Sequence, residues 1–407
     1  MADRDKLTDF FGGKVPPPPE RTFDQREAQS DSDYAKALFN AGMFNRAIDV
    51  CLSTLDTNFK DYDHKSALET IPDDECVTDE PIPDDSPFII VQPPVAHDPR
   101  LCEYYTLMTI AICSLVSIRS PKELDDALNQ IPEIVSILRD GSIAEQLLIE
   151  PYSPELAPTV CKARRVLNTA PLGLLIGIAL GPSIAQNARA SVTQLGFIKS
   201  IIAPSNPGRT AIDLCLCSML VQIGLVKPAC SIMNDLVKVN PSRNVTAAQA
   251  RLALHVGDIS YASKLLNELA ELVPNTDEGV IEQLALNSVD AFAQRDYGKA
   301  EANAITAHTR FQDAGFPMPV KRHGLAAFTI WANVMAQREQ YRTVLMIEDA
   351  IRRQPQIYCC EAVAVLLVDL YKSSQSARRA KILITDMKLL MERFGPENMD
   401  TSMFSIA

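Results

Sequence analysis

The residues of this chain best suited to bind a metal or attack a carbon centre are its ten cysteines and five histidines. A structural zinc site needs four such ligands at short, repeated spacings. No Cys-x-x-Cys occurs; the closest pairs are Cys215/Cys217 and Cys359/Cys360, with no histidine near either in sequence. His64, His97, His255, His308 and His323 share no recurring spacing with a thiol or an acid. Gly12-Gly13-Lys14 is followed by Val15, where a phosphate-cradling loop needs Ser or Thr. Neither Gly-x-Ser-x-Gly nor His-Glu-x-x-His is present. The expectation is a protein that is not an enzyme, with no catalytic, metal-binding or cofactor-binding residues and no cofactor. Scattered thiols without a disulfide framework point to a reducing compartment.

What remains is binding chemistry. Residues 1–27, with the tract Pro16–Pro19, are expected to be a disordered tail. Within it, Leu7, Phe10 and Phe11 are apolar residues that an isolated tail cannot bury, so they are expected to dock on something. Their spacing resembles the peptide that binds the replication sliding clamp, with Arg4 where Gln is expected.

The elements that would position a binding surface are legible in a repeat. Ile223-Gly224 and Val256-Gly257 are each followed five residues after the glycine by Ala (Ala229, Ala262) and seventeen after it by Pro (Pro241, Pro274). Gly suits the tight turn of a helical hairpin, Ala lets two helices approach closely, and Pro ends the second helix. A period near 34 with this punctuation is the signature of tetratricopeptide (TPR) helix pairs. Weaker copies place Gly42 before Ala47, Arg295 before Ala300, and Arg338 before Thr343 and Pro355. The fold class expected is all-α, an irregular TPR-like helical-hairpin solenoid with a short disordered N-terminal tail. Its parts are the tail at 1–27, a first hairpin at 28–58, an acidic Pro-rich linker at 59–100, helical hairpins at 101–202, and the TPR-like array with a C-terminal cap at 203–407. Expected helices include Pro121–Leu138, Leu172–Leu180 and Pro182–Ile202.

Charge narrows the partners. The net charge is −12, and residues 59–100 carry eleven acidic side chains against three basic ones. Such a chain lacks the basic face that displaces counterions from nucleic acid, and it has no general attraction to anionic lipid. The charged start of the chain has no apolar core of a signal peptide. The longest uncharged run, 166–188, is strongly apolar only over Leu172–Leu180, short of the roughly 20 residues a membrane span needs. A soluble protein with no direct membrane insertion is expected.

Helix-pair solenoids present the first helix of each pair on a concave groove. Counting back from each turn, that groove would include Asn244 and Arg251, then Glu282 and Phe292, then Phe328 and Met335. In TPR domains that grip chaperone C-termini, Lys and Asn occupy the equivalents of Ala247 and Arg251; neither is present here. That absence speaks against a chaperone clamp and favours a helical or extended protein partner; a peptide-binding TPR receptor or co-chaperone is kept as one alternative. A nuclear adaptor docking the sliding clamp through Phe10-Phe11 is another.

Leu254-His255-Val256-Gly257-Asp258-Ile259 with Ala262 is similar to the Gly-Asp-Ile turn of the TPR subunit family of the transport protein particle (TRAPP) complex, numbered twelve in animals. The resemblance extends through Asn287–Ala300, Gln354–Leu370, the C-terminal Asp400–Ala407 and the first hairpin Phe39–Leu55. It covers most of residues 33–407, and the order and spacing of the motifs carry it. The acidic stretch at 59–100 and the brief N-terminal extension depart from that family. The resemblance implies a non-enzymatic scaffold or adaptor subunit of a vesicle-tethering complex in ER-to-Golgi traffic. Its partners would be other subunits and, indirectly, a Rab GTPase. Its place would be the cytoplasm, peripheral to early secretory membranes.

Overall fold

Most helices in this chain start where a short polar side chain or a proline meets the backbone N–H groups that a first turn leaves free. Ser30, Asp98, Asn187, Ser242, Asp258 and Thr276 each accept a hydrogen bond from the backbone N–H two or three residues on. The computed structural model describes residues 7, 8, 10, 11, 15–17, 30–69, 98–140, 157–202, 206, 208–313, 318–400 and 404, and every regular element among them is helical. The fold is all-α, built of helical hairpins in the manner of a solenoid. It divides into two units, Thr22–Asn240 and Pro241–Ala407, with Met1–Arg21 joined to the second.

The first unit contains α1 (Asp31–Asn40), α2 (Phe44–Asn58), α3 (His64–Glu69), α4 (Pro99–Ile118), α5 (Pro121–Leu128), α6 (Pro132–Arg139), α7 (Ala157–Thr169), α8 (Leu172–Ile184), α9 (Ala188–Ile201), α10 (Arg209–Gln222) and α11 (Val226–Val239). Among the described residues, α4 is the one helix long and apolar enough to cross a membrane. Its Leu107, Met108, Ala111, Ile112 and Leu115 are wholly buried in the unit. Gly173, Gly177 and Gly181 form one stripe of α8 against α4 and α5. A Cβ on Gly177 would stand 3.0 Å from Ile112 Cγ2, and one on Gly181 3.3 Å from Leu124 Cδ2.

The second unit contains α12 (Arg243–Val256), α13 (Ile259–Glu271), α14 (Asp277–Ala293), α15 (Tyr297–Asp313), α16 (Met318–Ala336), α17 (Gln340–Arg353), α18 (Pro355–Tyr358), α19 (Glu361–Ser374) and α20 (Ala377–Phe394). α15 and α16 approach closely at Gly324, where a Cβ would lie 2.3 Å from Phe311 Cγ.

The repeated punctuation has one geometry. Gly42, Gly224 and Gly257 have φ of +73°, +79° and +83°, and Arg295 takes φ +64° in the same place. At each, the residue's own N–H bonds three residues back and the next N–H bonds five back: Gly257 N to Leu254 O (3.2 Å) and Asp258 N to Ala253 O (3.0 Å), Arg295 N to Phe292 O (3.0 Å) and Asp296 N to Ala291 O (2.9 Å). Five residues later Ala47, Ala229, Ala262, Ala300 and Thr343 are all 0% exposed. Arg338 departs from the pattern: its N–H and that of Glu339 both go to Met335 O. Nothing surrounds the position of a Cβ on Gly257, so Gly257→Ala tests backbone strain alone. Chemical denaturation is expected to show a loss of about 1–2 kcal/mol. Arg295→Gly is expected to cost nothing, because the left-handed strain it relieves offsets the added chain entropy.

Four expectations are revised. The helix foreseen over Pro121–Leu138 is two, because Pro132 cannot continue the first and biases Ile131 out of helical backbone (φ −129°, ψ 51°). The break foreseen at Pro182 falls later: α8 runs through it to Ile184, and the chain turns at Gln186 (φ +61°). A proline near a helix end forfeits one hydrogen bond, which the buried apolar face of α8 outweighs. The proposed division at 202/203 is bridged, since Arg209 Nη1 donates to Ile202 O (2.8 Å) and Lys199 pairs with Asp213 (2.7 Å). The division into units falls in the chain at 240/241. Residues 70–97 of the acidic linker lie outside the described residues, but its ends are structured. α3 lies within it, Tyr62 donates to Asp98 Oδ2 (2.8 Å), and the Arg100 guanidinium sits 5.0 Å over the Tyr62 ring.

Candidate partner-docking surfaces

The described surface of the second unit includes a cleft of about 450 Å³ where α15, α16 and α17 meet. Ile305, Trp331, Met335 and Met346 give it an apolar lining. Arg338 and Arg342 stand at its side with Glu301 and Glu339. Arg338 Nη1 lies 2.9 Å from Glu301 Oε2, and Arg342 Nη1 lies 3.4 Å from Glu339 Oε2. Arg338, Arg342 and Glu339 are largely solvated while Glu301 is half-buried, so both pairs hold little stability and the arginines are available to a partner. On the same helix as Arg342 and Met346, Tyr341 is 66% exposed and Leu345 45%. A cleft with apolar lining and charges of both signs suits an amphipathic helix, whose apolar stripe would enter and whose polar flanks would meet the arginines and glutamates.

The residues foreseen as one groove are placed variously. Asn244 and Arg251 are exposed on α12. Glu282 on α14 is half-buried; it pairs with Arg243 and lies 3.4 Å from His323 Nε2, so it ties adjacent helices together. Phe292 is half-buried against Tyr297, with ring centroids 5.7 Å apart. Phe328 is corrected to a core residue: it is 1% exposed, 4.8 Å from the Tyr358 ring and 5.0 Å from that of His308. Its helix turns this position inward, where α15 and α18 cover it. Of the six, Met335 alone lines the cleft. Ile305, Arg342 and Met346 were not foreseen, because counting along first helices omits second helices such as α15 and α17; Arg338 lies in the turn, and Trp331, four residues before Met335 on α16, was passed over on a helix that was counted. The available signal was arginine in place of the turn glycine at Arg338, followed by Tyr341 and Leu345.

The tail motif is seated on the chain itself. Leu7 is 6% exposed, and Leu7 with the half-buried Phe10 and Phe11 packs into the apolar cluster built by α17, α19 and α20. Phe11 N–H closes one helical turn onto Leu7 O (3.0 Å). Arg352 Nε donates to Phe10 O (2.8 Å) while its guanidinium lies 4.6 Å over the Phe10 ring. At these positions the expected disorder gives way, because the cap supplies the apolar surface an isolated tail lacks.

The thiols fit packing rather than reaction. Burial pushes Cys51 and Cys359 up to about 12 and Cys217 up to about 11, which keeps them protonated and poorly nucleophilic at neutral pH. Among the described residues, no group of three or more His, Cys, Asp or Glu is placed to hold a metal ion. Compared with protein-family models and with curated proteins, the chain matches none.

Proposed function

We propose that this chain is a non-enzymatic scaffold subunit of a TRAPP-like vesicle-tethering complex, working in the cytoplasm at early secretory membranes. The observation that supports this reading is the ordered series of hairpin turns, each followed by a buried Ala or Thr, over the stretches that resemble the TRAPP subunit family. Rigid stacked hairpins give a long surface at low conformational cost, which suits a subunit held between larger partners. In this reading the α15–α17 cleft takes an amphipathic helix of a neighbouring subunit, and a Rab GTPase is reached only through the assembled complex. The tail motif, buried against the cap, is poorly presented for capture by a sliding clamp.

Affinity purification of the tagged chain at low salt tests this. Several stoichiometric tether-type subunits are expected to co-elute. The double substitution Arg338→Glu/Arg342→Glu is expected to reduce their recovery at least tenfold, since reversing charges beside a docked helix costs a few kcal/mol and about 1.4 kcal/mol is tenfold. Recovery of a chaperone, of the sliding clamp, or of no stable partner would sink the tether reading.

A further inference from the structure

We propose that the cap formed by α17, α19 and α20 is a peptide-binding site. Its ligand class is a one-turn helical Leu-x-x-Phe-Phe segment, and the chain's own tail occupies it in cis. The seat has the parts of a receptor. An apolar floor takes Leu7 and Phe11, with the Phe11 ring 5.8 Å from that of Phe394. A cation recognises both the backbone and the ring of Phe10 through Arg352. That cation is held in place: Arg352 Nη2 bonds Glu348 Oε2 (2.9 Å), and Glu348 Oε1 accepts from the Tyr371 hydroxyl (2.8 Å). A second arginine, Arg393, donates to Pro16 O (3.4 Å) where the tail leaves.

Three features separate this from ordinary core packing. The ligand is a single turn, distant in sequence from the helices it meets, and it is joined to them by side-chain bonds to its backbone carbonyls. Such bonds read backbone and pattern, and a separate peptide with the same pattern can satisfy them equally. Tethering gives the tail an effective concentration on the order of millimolar. A free peptide of micromolar affinity is therefore excluded until the tail is released, and the tail's own phenylalanines stay withheld from outside partners while it is seated.

The test uses the full chain and a fluorescein-labelled peptide spanning residues 1–19. The peptide is expected to bind Leu7→Ala/Phe10→Ala/Phe11→Ala at least tenfold more tightly than wild type, as competition by a tethered ligand requires. It should also raise the thermal midpoint of that variant and not of wild type. Adding Arg352→Ala should abolish binding while circular dichroism stays helical. If the triple variant loses its helicity, the single Phe10→Ala protein carries the same comparison with a smaller ratio. Equal affinity for variant and wild type, or no binding to either variant, overturns the proposal. Dimeric wild-type protein at micromolar concentration, converted to monomer by the triple substitution, would overturn the cis assignment in favour of an exchanged tail.

Discussion

Replacing Phe328 by Ala is expected to lower the stability of the Pro241–Ala407 helices by about 3–5 kcal/mol, in purified protein with no partner present. The ring is 1% exposed and touches the rings of His308, Trp331 and Tyr358, at 5.0, 6.2 and 4.8 Å between centroids. Truncation would leave a cavity bounded by three different helices, which the rigid aromatic walls cannot collapse to fill. The contrast is Met335→Ala, on the same helix but half-exposed in the cleft. It is expected to cost under about 1 kcal/mol and to act on partner recovery instead. Trp331 is the single tryptophan of the chain and sits in this cluster, so its fluorescence during urea unfolding reports both variants. A loss below about 1 kcal/mol for Phe328→Ala would return that residue to the binding surface.

The fold was legible where spacing alone dictates geometry. A small residue five positions after a turn must face the partner helix, so Ala47, Ala229, Ala262 and Ala300 were readable before any coordinates. The C-terminal hairpin was similarly plain, since Ala377–Phe394 carries a continuous apolar stripe. Proline misled in both directions: Pro132 splits a helix that periodicity would continue, while Pro182 is tolerated because α8 is buried on nearly every side. The site was less legible for a different reason. An apolar residue on a first helix satisfies a groove and a core equally, so Phe328 and Met335 look alike in sequence, and coverage by α18 separates them. The cleft draws on three helices; its residues recur four apart within each stretch (Glu301/Ile305, Trp331/Met335, Arg338/Arg342/Met346), but nothing in the sequence says that the three rows face one space. The tail could be read as needing a partner, yet the partner's place in the same chain depends on tertiary contact some 340 residues away, as between Phe10 and Arg352.

Acidification between pH 6.5 and 4 is expected to destabilise the second unit through His308. The imidazole is 5% exposed, with Phe311, Phe328, Trp331 and Tyr358 around it, and its Nδ1 has no partner. Burial holds its pKa down at about 4, against the upward pull of a hydrogen bond with the backbone of Gly324. The unfolded chain, with an ordinary value near 6.5, therefore takes up the proton first as pH falls. Stability is retained in full above about pH 6.5, declines through the window, and levels off near pH 4. The loss approaches about 3–4 kcal/mol at the plateau, since each unit of separation is worth about 1.4 kcal/mol. His323 is also held low, chiefly by burial, and carboxylates titrate in the same range. The informative quantity is therefore the difference between wild type and His308→Gln, which keeps a polar side chain and cannot titrate. Urea midpoints from Trp331 fluorescence are expected to converge as pH falls from 7 to 4.5, as wild type loses what the variant cannot lose. Parallel pH dependences for the two proteins would mean that His308 is hydrated in solution, and that the aromatic enclosure around it opens to water.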